Sequence, residues 1–304
     1  MISSFAEAEV IAKEVGPKKI AVLRAENREF LLALKESYRR GYGEPILIGD
    51  ESKIREIADN IDFDINDFRV IDEKNSQKVA DKGVGLVSDG EADFVLRGYI
   101  DGHYLYRTLI RSSSKSGVKK QICVVALMQF PVLPKLIGLT DTGITIAPDF
   151  SAKVEIIRHA VDLFSHLGYE NPRVGILAAG RGLNLELDSV IDALKIREAL
   201  SNGDLSGCSI EEGFNLSDFF LGKNSFLENH EDIDFSLVPD ILLVHNLEFG
   251  NIFVKIDSLS TSDYFHDFRR HGIIMGAGIP TVIPSRADMH DTIITDIALG
   301  VLIA

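Results

Sequence analysis

Residues 19–50, KIAVLRAENREFLLALKESYRRGYGEPILIGD, hold a strand, a helix and a second strand in immediate succession and decide the fold class. The apolar run 19–23 is typical of a buried strand. Residues 27–41 carry apolar side chains at helical spacing and end on Gly41, which is typical of a helix C-terminus. Residues 45–50 are again a short apolar strand, and Asp50 can cap a following helix. Strands that alternate with helices in this way indicate a parallel sheet covered on both faces.

The same alternation continues along the rest of the chain. Further strands are predicted at 68–71, 93–96, 121–128, 136–139, 173–179, 240–244, 273–275 and 281–283. Further helices are predicted at 151–167, begun by Pro148 and Asp149 and ended by Gly168, at 187–200, and from Asp288 as cap to the C-terminus. The least regular stretch, 201–239, is predicted to form loops and one short helix. The predicted fold class is α/β with mainly parallel sheets.

Composition excludes several classes of protein. With 45% apolar and 26% charged residues, the chain has the composition of a globular protein. The net charge of −14 argues against nucleic acid as a partner. The first residues lack the basic and apolar stretches of a signal peptide, and the longest apolar run, 122–128, is too short to span a membrane. We therefore expect a cytoplasmic protein without a membrane partner.

The motifs of several common enzyme classes are missing from the sequence. Its Gly-x-Gly pairs lack the third glycine of a dinucleotide site, and no P-loop, His-Glu-x-x-His or Gly-x-Ser-x-Gly motif occurs. Two cysteines make no disulfide framework, and the scattered histidines indicate no metal. Cys123 lies within a predicted apolar strand, so we expect a core residue rather than a nucleophile. Lys153 and Lys195 are predicted on solvated faces.

Polar clusters follow five of the predicted strands, and open α/β sheets bind ligands at the carboxyl ends of their strands. The clusters are Arg97-Gly98, Thr140-Asp141-Thr142, Gly180-Arg181-Gly182, 245–251 and 284–288. In the last, the Ser285 hydroxyl adjoins the Arg286 guanidinium just before a predicted helix, which favours anion binding. Each cluster also has an ordinary structural alternative, such as a capping turn, a helix start or an ion pair.

Taken in chain order, these clusters resemble the phosphate acetyl/butyryltransferase family, and its butyryl branch more closely. The matching stretches are 46–50 (ILIGD), 97–98 (RG), 140–141 (TD) with 148–149 (PD), 247–251 (LEFGN), 276–280 (GAGIP) and 285–288 (SRAD). The similarity extends from about residue 5 to the C-terminus.

The resemblance implies an acyltransferase that moves a short acyl group between coenzyme A and inorganic phosphate. It implies no metal and no permanently bound cofactor, with coenzyme A as a substrate. The implied architecture is that of phosphotransacetylase and isocitrate dehydrogenase, two α/β domains with an interdomain cleft. Residues 1–136 with 280–304 would form the first domain, and 137–279 a second, inserted domain. A homodimer or higher homo-oligomer is also implied.

The resemblance further assigns roles to individual residues. Arg286 would hold phosphate or acyl phosphate, and Ser285 would hydrogen-bond the sulfur or the developing oxyanion. The residues expected to bind substrate are Arg97, Gly98, Thr140, Asp141, Glu248, Gly250, Asn251 and Asp288. Since phosphate is itself a competent nucleophile toward a thioester, the protein mainly has to position two anions that repel each other.

The chain departs from the family pattern at several positions. Arg97 replaces a lysine, Gly102 a threonine and Arg181 a glutamate, and Phe214 interrupts a Gly-Pro-Leu-Ala stretch. The acetyl branch has an aspartate, assigned as a base, seven residues after the serine; Thr292 occupies that position, with Asp291 one residue earlier.

Because of these departures, the sequence does not identify the acyl chain that is transferred. Two other functions are alternatives. One is a non-catalytic relative that binds acyl-CoA or acyl phosphate in a regulatory role. The other is a nicotinamide-dependent oxidoreductase on a similar two-domain fold, which the missing glycine motif disfavours.

Overall fold

The structure is a computed structural model that describes residues 1–114, 121–131, 133–179, 183–212, 215–216, 219, 238–255 and 268–304. The expectations for Gly180, Arg181, Gly182 and Phe214 lie outside these residues. The same holds for most of the stretch 201–239, for which loops and one short helix are predicted.

Two compact units make up the chain. The first unit comprises Phe5–Lys120 and His271–Ala304, and the second comprises Met1–Ser4 and Gln121–Arg270. The boundaries expected from the sequence, 136/137 and 279/280, fall later in the chain than 120/121 and 270/271, and they stay a prediction.

Helices and strands alternate through both units. In chain order they are α1 (Phe5–Val15), β1 (Lys18–Leu23), α2 (Arg28–Arg40), β2 (Gly43–Gly49), α3 (Glu51–Asn60), β3 (Val70–Asp72), α4 (Ser76–Ser88), β4 (Phe94–Arg97), α5 (Gly102–Ser114), β5 (Cys123–Gln129), β6 (Leu136–Thr140), α6 (Phe150–His166), β7 (Arg173–Ile176), α7 (Asp188–Ser201), β8 (Ser209–Ile210), β9 (Ile241–Leu243), α8 (Leu247–Val254), β10 (Arg269–Met275), β11 (Thr281–Val282) and α9 (His290–Ile303).

The sheet of the first unit has the strand order β3-β2-β1-β4-β11-β10. Its strands are parallel from β3 to β11, and β10 is antiparallel to β11. Leu23 pairs with Arg97 and Val282 with Leu96, so the last residues of β1, β4 and β11 lie at one edge. The closing helix α9 packs against α1 and α2 within this unit.

The sheet of the second unit has the order β5-β6-β9-β7-β8. Strands β6, β9, β7 and β8 are parallel, whereas β5 and β6 are antiparallel. The connection between β5 and β6, residues 130–135, is too short for the crossover that a parallel pair needs. The α/β class with a mainly parallel sheet, as predicted, is confirmed.

Several helix ends that the sequence predicts are formed as expected. The Asn27 side chain accepts hydrogen bonds from the first turn of α2, and Gly41 ends that helix in the left-handed region at φ 83°. Asp50 accepts from the Lys53 N–H at the start of α3, and Asp149 from the Ala152 N–H at the start of α6. These caps confirm that local sequence fixed the helix boundaries.

The predicted cap of the last helix is wrong. α9 begins after Met289, whose side chain makes no capping hydrogen bond. The Asp288 carboxylate accepts instead from the backbone N–H of Ser285, at 2.7 Å. A backward hydrogen bond that closes the preceding turn therefore uses the carboxylate that was expected to cap the helix.

No helix among the described residues has the length and apolar character needed to cross a membrane.

Candidate active site

The two expected arginine loops follow neighbouring strands of the first unit. β4 ends at Arg97, and β11, which pairs with it in parallel, ends three residues before Ser285. Because parallel neighbours deliver their carboxyl ends to the same edge of a sheet, Arg97 and the Ser285-Arg286 pair are brought to one place.

Arg97 is a half-buried cation at the carboxyl end of β4. Its Nε donates a hydrogen bond to the carbonyl oxygen of Ile100, at 3.0 Å. Burial lowers the pKa of its guanidinium, the nearby Arg286 cation lowers it further, and Tyr106, Asp101 and Asp288 act in the opposite direction. Arg97 therefore lies within electrostatic reach of Arg286, and anions at this edge stabilise its charge.

Arg286 is more exposed and has an exchangeable partner. Its Nη1 lies 3.0 Å from the Oδ1 atom of Asp101, and the two side chains are 51% and 53% exposed. An ion pair this exposed contributes at most about 1 kcal/mol. A ligand with greater negative charge can therefore replace the Asp101 carboxylate at little cost.

The residues around Arg286 form a tight turn. The Ser285 N–H donates to Asp288 Oδ2 at 2.7 Å, and the Asp288 N–H donates to the Ser285 carbonyl at 3.1 Å. The Ser285 hydroxyl oxygen accepts from the Ala287 N–H at 3.4 Å. Because this oxygen is used as an acceptor, its own hydrogen is available for donation toward a ligand. Asp288, expected to bind substrate, closes the turn.

Two glycines that follow β4 have close neighbours: Gly98 lies in the loop and Gly102 begins α5. A Cβ on Gly98 would lie 2.0 Å from the Leu23 carbonyl oxygen, so only glycine fits where β4 leaves the sheet. A Cβ on Gly102 would lie 3.1 Å from the Tyr106 ring. Gly102 thus makes room for a phenol that is also close enough to Arg97 to affect its pKa.

In the second unit, the Asp141 carboxylate is buried and occupied by the backbone. It accepts hydrogen bonds from the N–H groups of Val124, Gly143, Ile144 and Thr145 at 2.7–3.3 Å. Burial raises the pKa of Asp141, and the four N–H donors act in the opposite direction. Asp141, expected to bind substrate, organises the loop that follows β6.

The neighbours of Asp141 are also buried. Thr140 is fully buried at the end of β6. Cys123 lies in β5, and burial raises the pKa of its thiol well above the ordinary value. A thiol that resists ionisation is a poor nucleophile, so the expectation that Cys123 is a core residue is confirmed.

The LEFGN stretch forms the start of α8, with Asn246 as its cap. A Cβ on Gly250 would lie 2.5 Å from the Asp141 carbonyl oxygen. Asn251 donates through Nδ2 to the Thr142 carbonyl oxygen at 3.2 Å. Gly250 and Asn251 therefore fasten α8 to the Asp141 loop, whereas Glu248 is exposed.

Comparison with known proteins identifies the family. The family model described as "Phosphate acetyl/butaryl transferase" matches residues 78–301. A phosphate butyryltransferase of Clostridium acetobutylicum is 31% identical over 306 residues, covering 100% of this chain and 99% of the relative. The chain belongs to the phosphate acetyl/butyryltransferase family. The resemblance noted from the sequence is confirmed.

Other members of the phosphate acetyl/butyryltransferase family are similar over most of their length. A phosphate acetyltransferase of Rhizobium meliloti is 28% identical, covering 88% of this chain and 83% of the relative. Among solved structures, a branched-chain phosphotransacylase from Enterococcus faecalis matches with a TM-score of 0.74 and 20% identity, covering 94% of this chain and 100% of the other.

The fold alone is shared more widely. A 4-hydroxythreonine-4-phosphate dehydrogenase from Klebsiella pneumoniae matches with a TM-score of 0.59 at 11% identity, covering 93% of this chain and 98% of the other. This similarity shows a shared fold and carries no information on the reaction.

Two polar clusters were not singled out by the sequence. In the second unit, Lys153 is only 2% exposed, so the expectation of a solvated face is wrong. Its Nζ contacts the Asp192 carboxylate and lies 3.1 Å from His245 Nδ1. Lys195, by contrast, is exposed as expected. A lysine on an amphipathic helix carries no sign of its burial until its carboxylate partner, 39 residues away, is known.

In the first unit, Glu29 and His290 form the other cluster. His290 Nδ1 lies 2.8 Å from Glu29 Oε2, and the His290 backbone N–H donates to the same oxygen at 3.1 Å. These hydrogen bonds lower the pKa of Glu29. The two residues are 261 positions apart, so no local pattern could have paired them.

Among the described residues, no group of three or more histidine, cysteine, aspartate or glutamate side chains is placed to hold a metal ion.

Proposed function

We propose that this phosphate acyltransferase moves a short acyl group between coenzyme A and inorganic phosphate, with Arg97 and Arg286 holding the phosphate group. Ser285 donates its hydroxyl hydrogen to the sulfur or to the oxyanion that develops on the acyl carbonyl. Coenzyme A enters as a substrate and no resident cofactor is needed.

The observation that carries the proposal is the pairing of two cations at one sheet edge. Arg97 ends β4, Arg286 follows the adjacent parallel strand β11, and the Arg286 cation is near enough to act on the Arg97 guanidinium. Like charges at short range destabilise each other unless an anion lies between them. The exposed Asp101 carboxylate supplies one negative charge, and a phosphate dianion supplies two.

The chemistry needs little beyond this positioning. A phosphate oxygen attacks the thioester carbon, the carbon–sulfur bond breaks, and the sulfur leaves as thiolate or thiol. Fixing both reactants can supply about 7–11 kcal/mol, and one well-placed oxyanion donor about 3–4 kcal/mol. Arginine forks and a serine hydroxyl are sufficient for that purpose without a protein nucleophile.

The remaining expected residues support the proposal less directly. We propose that Asp141, Gly250 and Asn251 hold the loop after β6 in one conformation, since their polar atoms and close approaches are used within the second unit. Thr140, which precedes Asp141, is buried at the end of β6. Their contact with substrate, like that of Glu248, stays a prediction. The homo-oligomeric state, the cytoplasmic location and the interdomain cleft also stay predictions.

The test is phosphate-dependent release of thiol from acyl-CoA substrates with two to five acyl carbons. We expect turnover by the wild type, and for Arg286→Gln a fall in kcat/KM of about 100-fold with a raised KM for phosphate. Arg39→Gln is the matched control, because Arg39 is an exposed arginine whose guanidinium pairs with Glu36 on its own helix. It should behave as wild type.

Two results would contradict the proposal. Wild-type protein that binds coenzyme A but turns over none of these substrates would favour the non-catalytic relative. Arg286→Gln with unchanged kinetics would show that phosphate is held elsewhere. The preferred chain length among active substrates decides between acetyl-type and butyryl-type specificity.

A further inference from the structure

A carboxylate and an imidazole meet at the edge that carries the arginines. Glu29 lies in the first turn of α2, which Asn27 caps, and His290 is the first residue of α9. The helices pack against each other, and Nδ1 of His290 lies 2.8 Å from Glu29 Oε2. Arg28 contacts the other Glu29 oxygen at 3.2 Å. The carboxylate is therefore fixed from both sides.

Three neighbouring parallel strands deliver the groups involved. β1 leads to Glu29, β4 ends at Arg97, and β11 leads through the Ser285 turn to His290. The pair Leu23 and Arg97 and the pair Val282 and Leu96 set the three strand ends level with each other. His290 thus follows directly on the turn that presents Ser285 and Arg286.

The geometry defines which imidazole nitrogen can accept a proton. A carboxylate is only an acceptor, so Nδ1 of His290 carries the hydrogen that is shared with Glu29. The lone pair then resides on Nε2. The His290 side chain is 45% exposed, while that of Glu29 is 21% exposed. The more buried carboxylate therefore orients the imidazole, which remains accessible to a ligand.

We propose that His290 is the catalytic base that deprotonates the coenzyme A thiol in the direction that consumes acyl phosphate, with Glu29 as its positioning residue. The inference rests on the proposed function. His290 Nε2 takes the proton from sulfur, the thiolate forms a bond to the acyl carbon, and the carbon–oxygen bond to phosphate breaks. The proton then passes to the departing phosphate, which leaves as hydrogen phosphate.

In the opposite direction the same groups act in reverse. Hydrogen phosphate passes its proton to His290 Nε2 and attacks the thioester through oxygen, and His290 then delivers that proton to the sulfur as the carbon–sulfur bond breaks. Protons and charges balance in both directions without a further reactant. A thiol with an ordinary pKa near 8.5 is mostly protonated at neutral pH, so a base placed beside it accelerates its reaction.

Other titratable groups near His290 are less suitable. Asp291 is exposed, and its Oδ1 accepts a hydrogen bond from the adjacent Thr292 N–H at 2.9 Å. Asp288 closes the Ser285 turn, and Arg28 and Arg286 are cations. On α1, Glu9 accepts from Thr295, more than one helical turn beyond His290. Of these groups, His290 is the one that combines a fixed orientation with a proton-accepting atom.

The decisive experiment measures kcat for acyl phosphate plus coenzyme A between pH 6 and 9. We expect His290→Gln to lower kcat about 100-fold at pH 7 with a near-normal KM for acyl phosphate. The residual rate of this variant should rise about tenfold per pH unit up to the thiol pKa, because only thiolate formed in solution then reacts. The wild-type rate should depend far less on pH in that range.

Chemical rescue separates catalysis from packing. Added imidazole should raise the kcat of the His290→Ala enzyme at least tenfold. If His290 merely joined two helices, a free base could not replace it and imidazole would leave kcat unchanged. Glu29→Gln should lower kcat about tenfold and leave KM unchanged. Asp291→Asn, at the neighbouring carboxylate, and His166→Gln, at an exposed histidine whose Nδ1 bonds a backbone carbonyl, are matched controls and should match wild type.

The outcomes distinguish this inference from the proposed function. An inactive wild type would refute both. An active wild type with a His290→Gln variant of normal rate and normal pH profile would refute the base alone. Loss of activity in Asp291→Asn but not in His290→Gln would assign the proton transfer to Asp291 and overturn the inference.

Discussion

The turn around Arg286 and the loop around Asp141 look alike in the sequence and differ in the structure. Each follows a strand of a parallel sheet and places a charged side chain beside a hydroxyl residue. Asp141 is buried, and its carboxylate accepts from four backbone N–H groups. Arg286 is half exposed and forms one ion pair, with the equally exposed Asp101.

The difference predicts that mutation will affect the two residues in different ways. Removing a buried carboxylate that accepts from four backbone N–H groups would leave several donors unsatisfied. An exposed guanidinium with a weak partner contributes little to folding and can exchange that partner. The two loops should therefore respond to mutation in opposite ways.

The largest expected effect is on stability at Asp141. Asp141→Ala leaves four backbone N–H groups without their acceptor in a buried loop, and each unsatisfied donor costs about 1–3 kcal/mol. Allowing for water that enters the vacated space, we expect the free energy of unfolding to fall by about 3 kcal/mol. Urea denaturation monitored by circular dichroism measures the change.

The exposed carboxylate of the same unit provides the control for Asp141. Glu248→Ala should change the free energy of unfolding by less than about 0.5 kcal/mol. If Asp141→Ala also changed the free energy of unfolding by less than about 0.5 kcal/mol, the Asp141 carboxylate would contribute no more to stability than an exposed side chain. The proposed difference between the two loops would then be wrong.

A smaller effect is expected at Gly250, where α8 meets the Asp141 loop. Alanine in place of a helical glycine ordinarily stabilises by about 0.5–1 kcal/mol. At this position the new Cβ would lie 2.5 Å from the Asp141 carbonyl oxygen, which belongs to the backbone and cannot move aside freely. We expect Gly250→Ala to destabilise the protein by about 1–2 kcal/mol.

Gly85 in α4 is the matched glycine for this prediction. Among the described residues, no atom outside the backbone of α4 would lie within 4 Å of a Cβ there, so Gly85→Ala should stabilise the protein. Opposite signs for the two variants, measured by the same denaturation experiment, would confirm that the Asp141 loop is fixed by close packing. If both variants were stabilised, α8 would have to shift away from the Asp141 loop to accommodate the new Cβ.

Sequence reasoning reached the fold because the fold is determined locally. The helix caps Asn27, Asp50 and Asp149 act on N–H groups two or three residues away, and apolar periodicity marks the buried faces. The position of the arginine loops followed from the same patterns, since strand ends of a parallel sheet fall at one edge.

What the sequence could not provide depends on distant partners. Lys153 is buried because Asp192 neutralises it, and the Glu29–His290 pair requires α2 and α9 to be packed together. Asp288 failed as a cap because its carboxylate closes a turn behind it. In each case the residue type allowed two roles, and only the fold chose between them.

The smallest expected effect is at Asp101, the ion-pair partner of Arg286. It tests whether the Arg286 guanidinium can exchange that partner. Asp101→Asn removes an exposed ion pair, so the free energy of unfolding should change by less than about 0.5 kcal/mol. Phosphate would no longer compete with a carboxylate, and an interaction of about 0.2–1 kcal/mol corresponds to a KM for phosphate lowered about 1.5- to 5-fold.

Ionic strength then tests whether this effect is electrostatic. The difference in KM between wild type and Asp101→Asn should shrink as salt is raised from 0.01 to 0.5 M, because screening weakens an exposed pair. Asp67→Asn, at another exposed carboxylate of the first unit, should leave KM unchanged. A KM for phosphate that rises in Asp101→Asn would mean that the carboxylate orients Arg286 for binding. Arg286 would then be as firmly fixed as Asp141, and the two loops would differ in burial alone.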